Sequence, residues 1–211
     1  MLILNKNILT IGGNRLEGGP LTPPEPPEPP DPYNPLGLPA NTIRCKFSSG
    51  YTPTMGDTQT IVDSTNNIWD IYKESNDWNK LFYRDSNLLE VLGANTSNVT
   101  VIWSMFSYCV SLISVALFDT SNITDMYQMF ISCRNLTSIP LFDTTNVTNM
   151  EWTFKGCLNV QSGALALYQQ ASSQANPPTD HYMTFTDCGI ETQTGAAELA
   201  QIPSSWGGTG A

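Results

Sequence analysis

Apolar positions in the middle of the chain recur at a fixed interval. The stretch from Asn98 to Cys109 lies over Asn122 to Cys133 without a gap, at an offset of 24 residues. A third copy follows at the same offset, with Asn146, Val147, Thr148, Met150, Phe154 and Cys157 in the matching places. Leu112, Val115, Leu117 and Phe118 correspond in the same way to Leu136, Ile139, Leu141 and Phe142. One step back, Phe82, Leu88 and Val91 form a degenerate copy that lacks the cysteine, and one step forward His181 to Cys188 forms another, displaced by a seven-residue insertion. A segment this short cannot bury its own apolar side, so neighbouring copies must supply the missing wall.

Each copy reads as two halves. The spacing Leu136, Ile139, Leu141 predicts a strand with those three residues inward and Ser138 and Pro140 outward. Ile123, Met126, Met129 and Phe130 fall on one face of a short helix, and Asn122 with Asp125 resembles its N-cap, with Asn98 and Asn146 in the equivalent places. The predicted fold is an α/β solenoid, a short leucine-rich-repeat-like stack with a strand plus a short helix per 24-residue coil. Thr42 to Phe47 and Asn67 to Tyr72 alternate as strands and are expected to form a small β cap at its N-terminal side. The folded unit should run from about Ile71, or earlier, to about Pro203.

Ahead of the repeats the pattern changes. The run from Pro20 to Pro39 is dominated by proline, which favours an extended polyproline II spacer without a core. Before it, Leu2, Ile3 and Leu4 and then Ile8, Leu9 and Ile11 flank Asn5-Lys6-Asn7 and read as a small hairpin. A lone hairpin is marginal in water, so this one should dock on something larger. The expected organisation is therefore an anchor segment at 1–19, a proline-rich linker at 20–39, a β-containing cap with a degenerate repeat at 40–94, three repeats at 95–168, and an insertion, degenerate repeat and tail at 169–211.

Charge narrows the partners. Nine basic against nineteen acidic residues give a formal net charge of -10, which repels phosphate backbones and anionic bilayers. Nucleic acid is not an expected partner, and no stretch is long and apolar enough to expect membrane insertion. The N-terminal residues lack a basic n-region, so no secretion signal is expected there.

The phrases from Leu117 to Cys133 and from Leu141 to Met150 resemble the BspA-like bacterial leucine-rich repeats, found in bacterial surface proteins and in phage and prophage proteins. The resemblance covers roughly half of the chain. It implies the repeat fold and a habit of surface display, and it implies no catalytic activity.

Enzyme chemistry has little to work with. His181 is the single histidine, and it stands in a degenerate repeat, where a role in the cap is expected. No carboxylate pair, phosphate-cradling glycine loop or closely spaced cysteine pair can be nominated, so the reading names no catalytic residue, cofactor or metal ligand. Cys109, Cys133 and Cys157 are equivalent positions and should stack as small buried hydrophobes. Glycosylation-like triplets occur at Asn95, Asn98, Asn122, Asn135 and Asn146, and four of them fall on repeat positions where Asn and Thr are read as turn and capping residues.

Anchor, spacer and head in that order predict a displayed, non-enzymatic protein. The first expectation is a phage virion structural protein, such as a head fibre, decoration or tail-associated protein, at the virion surface. Leu2, Ile3, Leu4, Ile8, Leu9 and Ile11 would hold it to other virion proteins of the capsid or tail. Trp103, Tyr127 and Trp152 lie off the inward stripe and are the candidate surface for a host glycan or protein. The alternative is a bacterial cell-surface or secreted adhesion protein, and either could be a homo-oligomer.

Overall fold

The structure is a computed structural model that describes residues 8–11, 14–17 and 31–211. The chain falls into two compact units, 1–30 and 31–211. In the first, strand β1 (Ile8–Ile11) pairs antiparallel with β2 (Asn14–Glu17), with Leu9 opposite Leu16 and Thr10 opposite Arg15. The partner expected for Ile8–Ile11 was Leu2, Ile3 and Leu4, which lie outside the described residues. Ile8–Ile11 pairs instead with Asn14–Glu17, the segment that follows it in sequence.

The second unit is built on a mixed five-stranded sheet. Strand β3 (Thr42–Phe47) lies between β5 (Ile68–Tyr72) and β6 (Leu88–Asn95), antiparallel to both. Strand β4 (Thr58–Asp63) adds antiparallel to β5, and the two-residue β7 (Ser114–Val115) adds parallel to β6. Side chains alternate across β3. Ile43, Cys45 and Phe47 are buried, while Arg44 and Lys46 point away and pair with residues directly opposite them. Arg44 holds Asp70 through two bonds of 2.7 and 2.8 Å, and Lys46 reaches Glu90 at 2.7 Å. On the edge strand, a register shift between Ile61 and Asp63 breaks the alternation, and Ile61 and Val62 are both exposed.

This architecture overturns the expected α/β solenoid of strand-plus-helix coils. The sheet is open, with β4 and β7 at its ends, and only two short helices occur among the described residues, neither in the predicted place. The segments around Met105, Met129 and Phe154, read as helices from their spacing, are successions of tight turns. The reason lies in where the backbone donors go. In a helix every N–H would bond to the carbonyl four residues back. Here the N–H groups of Ser104, Phe106 and Tyr108 donate to the carbonyls of Tyr127, Met129 and Ile131, while those of Met105, Ser107 and Cys109 donate three residues back. Gln128, Phe130 and Ser132 repeat the alternation toward Glu151, Thr153 and Lys155. Half of the donors thus bind the next segment, which a helix cannot do.

The turns require left-handed backbone at Ser104 and Tyr108, and again at Gln128 and Ser132. Gly156, with φ 74°, holds the position that Ser132 holds one segment earlier. The expected N-caps are likewise something else: Asn122 and Asn146 donate their side-chain amides to the carbonyls of Ser97 and Ser121 in the preceding segment. Asp119, Asp125 and Asp143 make the local turns, each accepting from the N–H two residues on. In the other half of the repeat, Leu141 is exposed and Phe142 is buried, so the inward residue is one position later than the strand spacing implied.

What the 24-residue interval does set is the register between segments. Phe82, Phe106, Phe130, Phe154 and Phe185 form a column of stacked rings, with centroids 5.5, 5.1, 5.3 and 5.8 Å apart in that order. Each ring is fully buried, worth about 1.5–3 kcal/mol relative to exposure. Phe47 of β3 meets the column at one end, 6.4 Å from Phe82, and Trp206 meets it at the other, 6.5 Å from Phe185.

After the third repeat the chain forms helix α1 (Ala164–Ser172), a run free of β-branched residues and of internal glycine or proline, which buries Ala164, Leu167 and Ala171. Gly163 precedes it with φ +99°, packed so closely that a Cβ there would collide with the Ile139 carbonyl oxygen. Helix α2 (Gln193–Leu199) is capped by Thr192, which accepts from the Gly195 N–H at 3.0 Å. Its Glu198 carboxylate accepts from the Leu165 N–H at 3.1 Å, placing negative charge at the start of α1. A short 3-10 turn, Ser204–Trp206, seats the closing indole.

The region expected as linker ends in contact with the sheet. Pro20 to Pro30 lie outside the described residues, but Leu38 is buried, and its carbonyl accepts from the side chains of Asn34 and Asn95. Leu36 covers Gly93 of β6, whose missing side chain leaves the space.

Candidate partner-binding surface

Trp103, Tyr127 and Trp152 are all half-buried on the turn segments. Trp103 and Tyr127 occupy the same place in consecutive repeats, and the residue that follows in that series is Glu151. Trp152 stands one position later, where its neighbours carry Ser104 and Gln128. The structure brings Trp103 and Tyr127 to one shallow groove of about 380 Å³, completed by Asp125, Asn149 and Glu151. Trp152 does not line it; its ring lies against Tyr127 with centroids 5.8 Å apart, and its Nε1 finds no acceptor among the described residues.

The floor of the groove is held by backbone. Asp125 and Asn149 bridge in parallel, the Met126 N–H donates to the Asn149 carbonyl at 2.8 Å, and the two side chains accept from the N–H groups of Tyr127 and Glu151. The Tyr127 hydroxyl accepts from Gln128 Nε2 at 3.2 Å. Burial pushes the Tyr127 phenol up, and the Glu151 and Asp125 carboxylates push it further, so it remains a neutral donor. The groove therefore combines aromatic surface, a hydroxyl donor and a surplus of negative charge. Asp125, Asn149 and Glu151 were not among the expected site residues, although the 24-residue interval that joins Trp103 to Tyr127 also points to Glu151.

The remaining candidates sit elsewhere. His181 lies flat on Trp206, and its Nδ1 is 3.2 Å from the Ser205 carbonyl, which places it in the closing cap. Five free cysteines are all buried, and the thiols of Cys109, Cys133 and Cys157 each donate to a phenylalanine carbonyl of the preceding segment, Phe82, Phe106 and Phe130. Burial pushes these thiols up, Cys157 to about 12. Among the described residues no group of His, Cys, Asp and Glu is arranged to hold a metal ion, and no helix is long and apolar enough to cross a membrane. Leu2, Ile3 and Leu4 of the expected anchor lie outside the described residues, and Ile8, Leu9 and Ile11 are on β1.

Compared with curated proteins and with solved structures, the chain has no significant match. A family model does match it, over residues 54–168, from the turn before β4 to the middle of α1. That span is more than half of the chain and contains the groove and all three regular repeats, so the protein belongs to the DUF285 family, described as Mycoplasma protein of unknown function.

Proposed function

We propose that the chain is a non-enzymatic phage virion structural protein, a head fibre, decoration or tail-associated protein. It is anchored through its N-terminal segment and displays the repeat body toward a host-surface glycan or protein. The observation that carries this reading is the division into a small unit at 1–30 and a large one at 31–211, with a proline-rich run, Pro20 to Pro30, closing the first. A run so rich in proline is the sequence pattern of a spacer. The groove between Trp103 and Tyr127 supports contact as the role of the large unit, since aromatic surface with a few convergent polar groups is what recognition sites share. We also infer kinship with the BspA-like repeat proteins, on the phrases from Leu117 to Cys133 and from Leu141 to Met150.

Peptide mass spectrometry of purified virions tests the display reading. Peptides of this chain at a stoichiometry comparable to other structural proteins are expected, and their absence from virions would remove it. A second reading, a bacterial cell-surface or secreted adhesion protein, is favoured by the Mycoplasma description of the family. Protease shaving of intact cells followed by peptide identification distinguishes the two.

A further inference from the structure

Aromatic residues on the surface of the large unit are repeatedly paired with a cation from the same chain. The Lys80 ammonium lies 4.7 Å from the Trp103 ring centroid, and that of Lys155 lies 5.5 Å from Trp152. The Arg84 guanidinium sits between two tyrosines, 5.1 Å from the Tyr83 ring and 5.4 Å from Tyr108. Tyr127 breaks the pattern: no cation stands over its ring among the described residues, although it shares its groove with two carboxylates. Neither Asp125 nor Glu151 forms an ion pair among the described residues, where Arg44 with Asp70 and Lys46 with Glu90 do. Lys155, the basic residue nearest to Glu151 in sequence, points its ammonium to Met183 Sδ at 3.4 Å.

We propose that the groove receives a cationic side chain, arginine or lysine, from a partner protein. A guanidinium matches both halves of the site, stacking on an aromatic face while donating two parallel hydrogen bonds to a carboxylate. The chain already places one of its own arginines, Arg84, against aromatic rings, those of Tyr83 and Tyr108. A neutral sugar would cover the rings but leave the Asp125 and Glu151 charges partly desolvated without a counter-charge. The chain's formal net charge of -10 favours the approach of a basic segment as well. This assignment names the chemistry of the partner in the contact role given above. It is independent of whether the protein sits on a virion or on a cell.

The test is fluorescence anisotropy of a labelled tri-arginine amide with the full chain at low ionic strength, with a labelled chitotriose as the sugar probe. Glu151→Gln should weaken tri-arginine binding about fivefold and Tyr127→Ala about tenfold. Glu191→Gln, which removes an exposed charge away from the groove, should change it by less than about twofold. Melting temperatures of the variants verify folding, and if Tyr127→Ala does not fold, the Glu151→Gln and Glu191→Gln pair decides alone. Equal losses in those two would show only general attraction to an acidic protein and overturn the proposal, as would no tri-arginine binding at all. Chitotriose binding that Tyr127→Ala abolishes, with tri-arginine binding unchanged, would also overturn it and transfer the groove to a sugar. The virion and cell-shaving measurements are unaffected by any of these results.

Discussion

The indole of Trp206 lies flat against the imidazole of His181, with ring centroids 4.2 Å apart and planes 2° apart. Tyr168 of α1 meets the same indole edge-on at 5.5 Å, and Phe185 lies 6.5 Å from it within the core. Trp206 thus joins the last turn segment, α1 and the aromatic column. It is 6 % exposed, so its removal opens the end of the column to water. Trp206→Ala should cost about 3–5 kcal/mol in urea unfolding, whereas His181→Phe, which retains a flat ring, should cost less than about 1.5 kcal/mol.

Phe130 lies against three aromatic rings, Phe106, Phe154 and Phe142, and Phe142 in turn meets the tilted ring of Phe118. Phe130→Ala should cost about 3–5 kcal/mol. A double-mutant cycle with Phe106→Ala should show a coupling of about 0.5–1.5 kcal/mol, because stacked neighbours share one packed surface. Phe47 and Phe154, separated by three rings of the column, should be additive within about 0.5 kcal/mol.

Two glycines with positive φ separate strain from crowding. Gly37 has φ +60° and open space where a Cβ would stand, so Gly37→Ala should cost only the left-handed backbone, about 1–2 kcal/mol. Gly163 has φ +99° and the Ile139 carbonyl in the way, and backbone cannot rotate aside as a side chain can. Gly163→Ala should exceed Gly37→Ala by at least about 2 kcal/mol in thermal or chemical unfolding, with loss of α1 seen by circular dichroism.

The buried thiols predict sensitivity to alkali. Burial raises Cys157 from its ordinary 9.0 to about 12, and Cys45, Cys133 and Cys188 rise as well. Above pH 9 the unfolded chain releases thiol protons that the folded chain retains, so folding loses stability as pH rises. The contribution is fully present below about pH 9 and falls by about 1.4 kcal/mol per pH unit for each such thiol, until the folded pKa is reached. Urea midpoints at pH 8, 9 and 10 should begin to decline between the first two and fall more steeply between the last two. Iodoacetamide should label the cysteines only after unfolding.

Much of the core was legible in the sequence, and much of the backbone was not. The interval that aligns Phe106, Phe130 and Phe154 follows from residue identity alone, because large apolar side chains have few places to go besides the interior. The helix assigned to Met126, Met129 and Phe130 failed because a succession of turns can present the same spacing. Only the left-handed backbone at Gln128 and Ser132 distinguishes the two, and neither residue advertises it. Gly156, in the register of Ser132, was the one visible sign. Helix α1 could have been found from its alanines, leucines and glutamines, had the repeat not been extended through them. At the groove, Trp103, Tyr127 and Trp152 were grouped as aromatics off the inward stripe, although the repeat position of Trp152 differs from that of the other two. The acidic partners were masked by their local roles, since Asp125 also makes a turn.

The bulge on β4 turns Ile61 and Val62 to solvent together, on a strand that among the described residues is paired along one side only. An edge of this kind offers its unused amides and carbonyls to the sheet of a second copy, rim to rim. The kink that exposes the two side chains also bends the strand, and Asp63 places a charge beside them, so two rims cannot lie flush. The same irregularity that creates a sticky spot limits how far it can spread, which matters for any protein held at high local density on a surface.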